Sequence, residues 1–286
     1  MKNTKPIRLP AVAGSFYQAN PEALKRQIEE CFTGEYGPGR LPVVTEGPLN
    51  SVVGLVCPHA GYMYSGYAAA HSFASLASDG QPELVVLIGP NHRGWGRPIS
   101  VAADGAWQTP LGTVDVDRQA AQKLLSECKE AYDDPLGHTG EHSLEVQLPF
   151  LQYLYGNNFR ILPIVVYTFG FRTMCELGTA VASVVRDKNA VIIASSDFTH
   201  YEPESIARRK DMAALKHILE LDAENLCRTV EDMDITMCGA GPIIAMLTAA
   251  KLLGATSAKL NTYYSSGAIT GDTSEVVGYA SVTIMR

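Results

Sequence analysis

The chain has 286 residues, of which 46% are hydrophobic and 19% are charged, and its formal net charge is −7. This length suffices for one large α/β domain or two small ones. Basic residues are dispersed, apart from the short run Arg208-Arg209-Lys210. The acidic balance therefore argues against nucleic acid or an anionic membrane surface as the main partner.

The cysteines and the chain start indicate the compartment. The six cysteines show neither a CxxC pair nor regular spacing, which disfavours a disulfide framework or a structural zinc site. The first ten residues mix Lys, Arg and Pro without an apolar core, unlike a signal peptide. No apolar stretch reaches the ~20 residues needed to span a bilayer. We therefore expect a reduced, soluble, cytoplasmic protein.

The chain begins with an irregular segment followed by a helix. Residues 8–17 contain Gly and Pro, which suggests a loop laid over the domain. Asn20 and Pro21 are typical of an N-cap followed by proline in the first helical turn. Leu24 and Ile28 then lie on one face at helical spacing, which predicts an amphipathic helix.

Two apolar runs predict buried strands that each deliver a histidine. The first run, residues 52–56, is followed by His59, and the second, residues 84–88, by His92. If the two strands are parallel neighbours, both histidines lie at the carboxyl edge of the sheet, where open α/β proteins bind ligands. The alternative is a buried histidine bonded to a backbone carbonyl. A helix over residues 65–76 is predicted after the first strand.

The remaining chain alternates further strands and helices, which is typical of an α/β fold. The predicted elements are strand-like residues 99–103 and 107–116, a helix from Asp117 to about Glu127, strands at 159–166 and 190–195 around a helix over 172–185, helices at 203–221, 222–230 and 242–253, and closing strands at 259–264 and 276–284.

A polar loop ends at His142, and Ser143 is predicted to start a helix. Glu145 lies three residues after His142. If the helix begins early enough, the two side chains share a face and can hold a metal or a substrate. Otherwise Glu145 is an ordinary solvated residue of a first helical turn, where a negative charge is favoured.

The strand predicted at 190–195 runs directly into Asp197 and His200. Three residues apart in a loop, these two can orient each other through a carboxylate–imidazole hydrogen bond. That is how a general base or a metal-bound histidine is commonly held. The alternative is an Asx-type turn that caps the next helix.

Pro242 fits the first turn of the apolar helix near the C-terminus, which places Cys238 just before that helix begins. Helix N-termini lower a cysteine's pKa and favour the thiolate. The alternative is a small buried apolar cysteine. The Gly-Ala-Gly sequence at 239–241 favours function, because it leaves room for a ligand to approach the backbone.

Seven motifs, spread over nearly the whole chain, resemble those of the Memo family, the protein B component of the three-part AMMECR1–Memo–radical SAM association. Gln18 departs from the resemblance, since the family often has proline there. The motifs are Val12-Ala13-Gly14-Ser15-Phe16-Tyr17, Pro58-His59-Ala60-Gly61-Tyr62, Gly89-Pro90-Asn91-His92, Thr109-Pro110-Leu111-Gly112, Glu141-His142-Ser143-Leu144-Glu145, Ser196-Asp197-Phe198-Thr199-His200 and Cys238-Gly239-Ala240-Gly241-Pro242.

The resemblance implies a fold and a site. The fold would be an αβα sandwich with a mixed, largely parallel central sheet, similar to class III extradiol dioxygenases, in a single domain over residues 1–286. It also implies a functional link to AMMECR1-domain and radical SAM proteins. By this resemblance the metal ligands would be His59, His92 and Cys238, and the catalytic candidates His200 and Asp197 would lie beside them. The residues themselves add Glu145 as a further catalytic candidate, and Tyr62, His142 and Trp107 as candidate substrate-binding residues.

A divalent metal is the expected cofactor, with iron first and zinc or copper as alternatives, since a thiolate suits all three. Ring-cleaving dioxygenases hold Fe(II) by two histidines and one carboxylate. Asp197 could therefore replace Cys238 as the third ligand and leave the cysteine as a nucleophile or redox group.

The expected function is a metal- or redox-dependent enzyme that acts on a small molecule or peptide in a dioxygenase-like cleft. Three alternatives stay open. One is a metal-dependent hydrolase with His200 as proton carrier. Another is a non-catalytic module that binds a peptide or protein in a vestigial cleft. The third is a metal-free enzyme with a Cys–His nucleophile.

Overall fold

The computed structural model describes residues 5–167 and 170–286. These residues form one mixed sheet with helices packed on both faces, which confirms the expected αβα architecture. None of the helices in these ranges is both long and apolar enough to cross a membrane. The strands are β1 Ile7–Arg8, β2 Val52–Cys57, β3 Leu84–Pro90, β4 Ile99–Val101, β5 Ala106–Thr109, β6 Gly112–Val116, β7 Ala131–Asp133, β8 Arg160–Val166, β9 Ala190–Ser195, β10 His200–Glu202, β11 Ser257–Ser265 and β12 Val276–Met285. The helices are α1 Pro21–Thr33, α2 Tyr62–Asp79, α3 Arg118–Glu127, α4 Leu148–Tyr155, α5 Phe171–Val185, α6 Glu204–Leu219, α7 Ala223–Asp232, α8 Ala240–Leu252 and α9 Ser266–Thr270.

The main path through the sheet runs β1-β5-β6-β8-β3-β9-β2-β12-β10, and the five strands from β6 to β2 are mutually parallel. Their carboxyl ends therefore share one edge. The expected direct pairing of the two histidine-bearing strands is wrong, because β9 lies between β2 and β3. The histidines still reach the same edge, since all three strands run in the same direction.

Both faces of the central strands are buried, which explains why they are apolar without alternation. In β2, for example, Val56 belongs to the core under α5 and α8, whereas Leu55 and Cys57 belong to the core under α1, α2 and α4. Successive side chains point to opposite faces of a strand. A strand covered on both sides therefore needs an apolar residue at every position.

Two helix starts near the site differ from the predictions. The helix predicted to begin at residue 65 begins at Tyr62, because the carbonyl of Gly61 already accepts the amides of Tyr64 and Ser65. The segment predicted as a helix from Ser143 is a 3-10 turn at Glu145–Gln147 that leads into α4. Proline in the first turn of α4 lacks an amide hydrogen, so it is accommodated only at a helix start.

Candidate metal centre

Three side chains from different parts of the chain meet at the carboxyl edge of the sheet. His59 follows β2, His92 follows β3, and Cys238 stands just before α8. One potential ligand atom from each lies within 4.8 Å of the other two. The ring centroids of the histidines are 5.1 Å apart, and Cys238 Sγ lies 3.2 Å from His59 Nε2. The expected convergence of these three residues is therefore present in the fold.

The His59 ring is held by a buried hydroxyl at the end of β9. Ser195 Oγ donates to the carbonyl oxygen of Ser143 at 2.7 Å and accepts from Gln147 Nε2 at 2.9 Å. Its only proton is thus used, so the contact of 2.9 Å with His59 Nδ1 requires the imidazole to donate. Gln147 Nε2 also donates to the carbonyl of Pro58, which fixes the amide orientation. His59 therefore presents an unprotonated Nε2 to the cluster.

The His92 ring is held in the same way by a carboxylate. Its Nδ1 lies 3.0 Å from Glu141 Oε1, and its backbone amide donates to Glu141 Oε2. Although burial opposes ionisation, the hydrogen bond from His92 and the bonds around it keep the pKa of Glu141 well below its usual range. An ionised carboxylate can only accept, so Nδ1 carries a proton, and in the neutral ring Nε2 is the nitrogen with a free lone pair.

A second group, His92, Glu141 and His142, also brings potential ligand atoms together. Glu141 Oε1, however, already accepts from His92 Nδ1 and from the amides of His142 and Ser143, at 2.7 and 2.8 Å. The rings of His92 and His142 are stacked, with centroids 4.7 Å apart and planes 18° from parallel. Stacked rings direct their nitrogens side by side rather than towards one point. Glu141 therefore orients His92, and the three residues of this group do not form a separate metal site.

Cys238 reaches the cluster because the backbone of Gly239 passes close to the end of β9. A Cβ at Gly239 would lie 2.4 Å from both the carbonyl oxygen of Ser195 and the Cβ of Ser196. The expected lowering of the thiol pKa is wrong: burial, and then the nearby Asp197, raise the pKa of Cys238. The helix N-terminus is too weak to overcome this desolvation. Without a bound cation, Cys238 is a thiol that can donate to His59 Nε2.

Asp197 and His200 lie beside the cluster but do not bond to each other as expected. Asp197 Oδ1 accepts the backbone amide of His59 at 2.8 Å, and burial raises the pKa of this carboxyl. His200 Nδ1 lies 2.9 Å from the carbonyl of Thr236, which can only accept, so in the neutral ring the free nitrogen of His200 is also Nε2. Among the described residues, the potential ligand atom that lies close to both His59 and His92 belongs to Cys238 and not to Asp197. The nearest approach of Asp197 to the His59 ring is 4.0 Å, from Oδ2 to Nε2.

A cleft of about 560 Å³ opens beside the cluster. Its walls are largely aromatic: Phe16, Tyr64, Tyr201 and Tyr279 line it together with the histidines. His142 also lines it, where its ring packs 4.7 Å from Phe16, and burial lowers the pKa of this histidine to about 4. His142, which the sequence suggested as a substrate-binding residue, thus lies in the wall of this cleft.

The two other predicted substrate-binding residues lie outside this lining. Tyr62 is 2% exposed, and its hydroxyl donates to the carbonyl of Val146 at 2.6 Å. Trp107 lies against Arg8 and His138 and faces a different cavity. Both were assigned to the cleft from their residue type and their position in the sequence, which do not show which way a side chain points.

The structure places Glu145 away from the cluster. It is fully buried, and its carboxylate accepts from the amides of Ala11 and Val12, from the Tyr17 hydroxyl, and from Arg8 at 2.7 Å. Four partners of this kind anchor the segment 8–17 onto the domain. Because that segment carries Phe16 into the cleft, Glu145 supports a wall of the site through the fold.

The supporting groups were missed from the sequence. Ser195, Glu141 and Thr236 each accept the Nδ1 proton of one histidine in the site. Only the positions of two of these residues in the sequence pointed to the site. Ser195 ends the strand that leads into Asp197 and His200, and Glu141 directly precedes His142 in one of the seven motifs. Side-chain partners 36 to 136 residues apart in the chain are set by the tertiary fold.

Fold and site together define an α/β protein with a candidate two-histidine, one-cysteine metal centre at the carboxyl edge of a mostly parallel sheet. The chain belongs to the Memo family: the family described as Memo-like protein matches residues 8–283. It is 47% identical to a MEMO1 family protein of Methanopyrus kandleri over 281 residues, 98% of this chain and 99% of that one. A MEMO1 family protein of Methanothermobacter thermautotrophicus is 46% identical over 279 residues, 97% of this chain and all of the relative.

A more distant likeness concerns the fold alone. The crystal structure of an uncharacterized protein from Escherichia coli K12 superposes with a TM-score of 0.54 at 14% sequence identity. The match covers 81% of this chain and 99% of the other. It supports the layered arrangement of sheet and helices.

Proposed function

We propose that the chain is a non-haem metal protein that holds one divalent ion, iron in first place, at His59, His92 and Cys238, and that it works as a metal- or redox-dependent enzyme. The observation that carries the proposal is the protonation pattern of the two imidazoles. Each donates its Nδ1 proton to a buried acceptor, so each offers a lone pair on Nε2. Two such lone pairs, one from the buried His59 and one from the exposed His92, form together with the cysteine sulfur a transition-metal donor set.

The donor set fits iron, zinc or copper(I) better than calcium or magnesium, because it consists of two nitrogens and a soft sulfur. An ion held by only three protein ligands would keep room for water or a substrate, which is typical of catalytic rather than structural sites. A bound ion of this kind supplies a Lewis acid and, for iron or copper, one-electron chemistry.

The residues around the cluster can handle a proton and a substrate. His200 lines the cleft with Nε2 free while Nδ1 is fixed on Thr236, so it can accept or return a proton at one defined atom. Asp197 keeps the turn after His59 in place through the backbone amide of that residue. Aromatic walls exclude water and orient a flat or apolar substrate group.

Metal analysis of protein purified without oxygen tests the first half of the proposal. We expect about one ion per chain in the natural protein and loss of the ion in His59→Ala and Cys238→Ser. Matched controls are His71→Ala and Cys175→Ser, whose side chains contact Tyr36 and Thr248 instead of the cluster. Equal metal content in the site variants and in the controls would exclude this donor set.

Turnover tests the second half. Protein loaded with Fe(II) is assayed for oxygen uptake and product formation on a panel of phenols, catechols and short peptides, with zinc-loaded protein assayed for hydrolysis. His200→Gln should retain the metal and lose kcat. If the loaded protein turns over nothing and binds a peptide equally well with and without His92→Ala, the function is binding and not catalysis.

A further inference from the structure

A groove of about 470 Å³ lies between α2, β11 and the loop that follows α1. None of its lining residues also lines the cleft beside the metal cluster. Its volume is within the range of small-molecule sites, roughly 300–1,000 Å³. We call it the α2 groove, and the lining residues that decide what it can bind are Arg40, Leu41, Val43, His71 and Lys259.

The loop side of the groove is fixed to α2 at both ends. His71 Nε2 donates to the carbonyl of Tyr36 at 3.1 Å, and the amide of Thr45 donates to the carbonyl of Ala77 at 2.8 Å. Between these two bonds, two prolines that line the groove restrict the backbone further, because the proline ring fixes φ. The groove is therefore formed before a ligand arrives, which lowers the entropic cost of binding.

The α2 groove carries two positive charges that the described residues do not neutralise. Arg40 and Lys259 both line it and are exposed, and the ion pairs of lysine and arginine within residues 5–167 and 170–286 involve other side chains. No aspartate or glutamate is among the residues described as lining the groove. Burial lowers the pKa of His71, and the charge of Lys259 lowers it further. Although the net charge of the whole chain is −7, this groove therefore attracts anions.

Exposed aliphatic side chains stand beside the two cations. Leu41 is 47% exposed and Val43 is 82% exposed. No aromatic side chain is among the residues described as lining the α2 groove, whereas the walls of the metal cleft are largely aromatic. Because removing apolar surface from water is favourable, a ligand with an aliphatic part gains free energy by covering these two side chains.

We propose that the α2 groove binds a small aliphatic phosphate monoester, with the phosphate at Arg40 and Lys259 and the carbon chain against Leu41 and Val43. A phosphate monoester carries close to two negative charges at neutral pH, which matches the two unpaired cations. A carboxylate or a sulfate ester carries a single charge and would leave one cation unpaired. The site shares no residue with the metal centre, and it does not depend on the proposed function.

Monobutyl phosphate is the probe, and its binding is followed by NMR through the ring C–H signals of His71, which His71→Gln assigns. We expect a saturable shift of these signals. 1-Butanol lacks the charge and should cause no shift at the same concentrations. Inorganic phosphate lacks the carbon chain and butyl sulfate has a single charge, so each should bind about threefold to tenfold more weakly than butyl phosphate.

Arg40→Gln and Lys259→Gln should each weaken the binding of butyl phosphate by about threefold to fivefold, and the double variant should abolish saturation. Arg118→Gln is the matched control, because Arg118 is also exposed but begins α3 and does not line the groove. Leu41→Ser should reduce the affinity for butyl phosphate to that for inorganic phosphate. These side chains are exposed, so we expect every variant to keep the fold, which circular dichroism checks.

The proposal is overturned if the His71 signals do not respond to butyl phosphate, if inorganic phosphate binds as tightly, or if the double variant still binds. His59→Ala should bind butyl phosphate like the natural protein, and a loss of binding there would contradict a site separate from the metal centre. We expect no retention on vesicles that contain phosphatidic acid, because the net charge of −7 opposes approach to an anionic surface. Retention on them would assign the groove to a lipid headgroup and overturn the proposal of a soluble ligand.

Discussion

His92 Nδ1 lies 3.0 Å from Glu141 Oε1, and this contact decides which nitrogen of the ring faces the cluster. Glu141 in turn is held by backbone amides of its own segment, so the orientation of His92 depends on a loop 49 residues further along the chain. A carboxylate in this position also increases the basicity of the ligand nitrogen.

Glu141→Gln should weaken metal affinity by roughly 10–100-fold, because it removes the charge that fixes the tautomer and orientation of His92. Affinity is measured by competition with a chelator of known strength. Glu145→Gln is the matched control, since Glu145 is also buried but contacts the segment 8–17. The control should lower thermal stability and keep the affinity; the reverse pattern would assign the metal role to Glu145.

Ser195→Ala should weaken metal affinity and also destabilise the fold by about 1–3 kcal/mol, because it leaves Gln147 and the carbonyl of Ser143 without their partner. Ser72→Ala is the control: its hydroxyl bonds to the carbonyl of Val56 and to Ser281. Both variants should lose comparable stability in denaturant unfolding. A loss of affinity in Ser72→Ala as large as that in Ser195→Ala would show that affinity follows general stability.

Metal affinity should rise with pH. Burial raises the pKa of the Cys238 thiol, so the ion has to displace its proton at neutral pH. The pKa of His59 is lowered well below its usual range, chiefly by burial, so this ring is already neutral and adds no competing proton. Calorimetry in buffers of different ionisation enthalpy should report proton release on binding, and Cys238→Ser should remove it. Affinity that does not change with pH would contradict a thiolate ligand.

The stability of the fold should fall in acid through His138. Its folded pKa is lowered to about 3 from 6.5, so below pH 6.5 the unfolded chain binds a proton that the folded chain excludes until about pH 3. Within that window the free energy of unfolding should decrease by about 1.4 kcal/mol per pH unit on this account. His138→Gln cannot titrate, so its stability curve should be flatter by one proton there. Parallel curves for the two proteins would refute the assignment.

Features that depend on neighbouring residues could be predicted from the sequence, whereas contacts between residues far apart in the chain could not. The helix cap at Asn20 was predicted and is formed: its side chain accepts the amides of Glu22 and Ala23. The strands β2, β3 and β9 were predicted from apolar runs, and the motifs placed a histidine or an aspartate after each. These features are local, because propensity, capping and burial of a run are properties of neighbouring residues.

The sequence did not determine which side chains would support the site. Tyr62 and Trp107 were assigned to the cleft, and the fold directs them to Val146 and to a second cavity. Glu145 was expected beside His142, whereas a 3-10 turn and a proline delay the helix, and its carboxylate bonds to the N-terminal segment instead. The direction of a side chain depends on where its element sits, which spacing along the chain does not encode.

The sequence by itself determined that His59 and His92 would lie at one edge of a largely parallel sheet, since parallel strands share their carboxyl ends there. Cys238 follows no strand, and the family motifs alone placed it beside the histidines. Only the tertiary structure decided that Ser195 and Glu141 would fix the two imidazoles and that the pKa of the Cys238 thiol would be raised. Hydrogen-bond partners and desolvation come from packing between distant segments, so they exist only once the chain has folded.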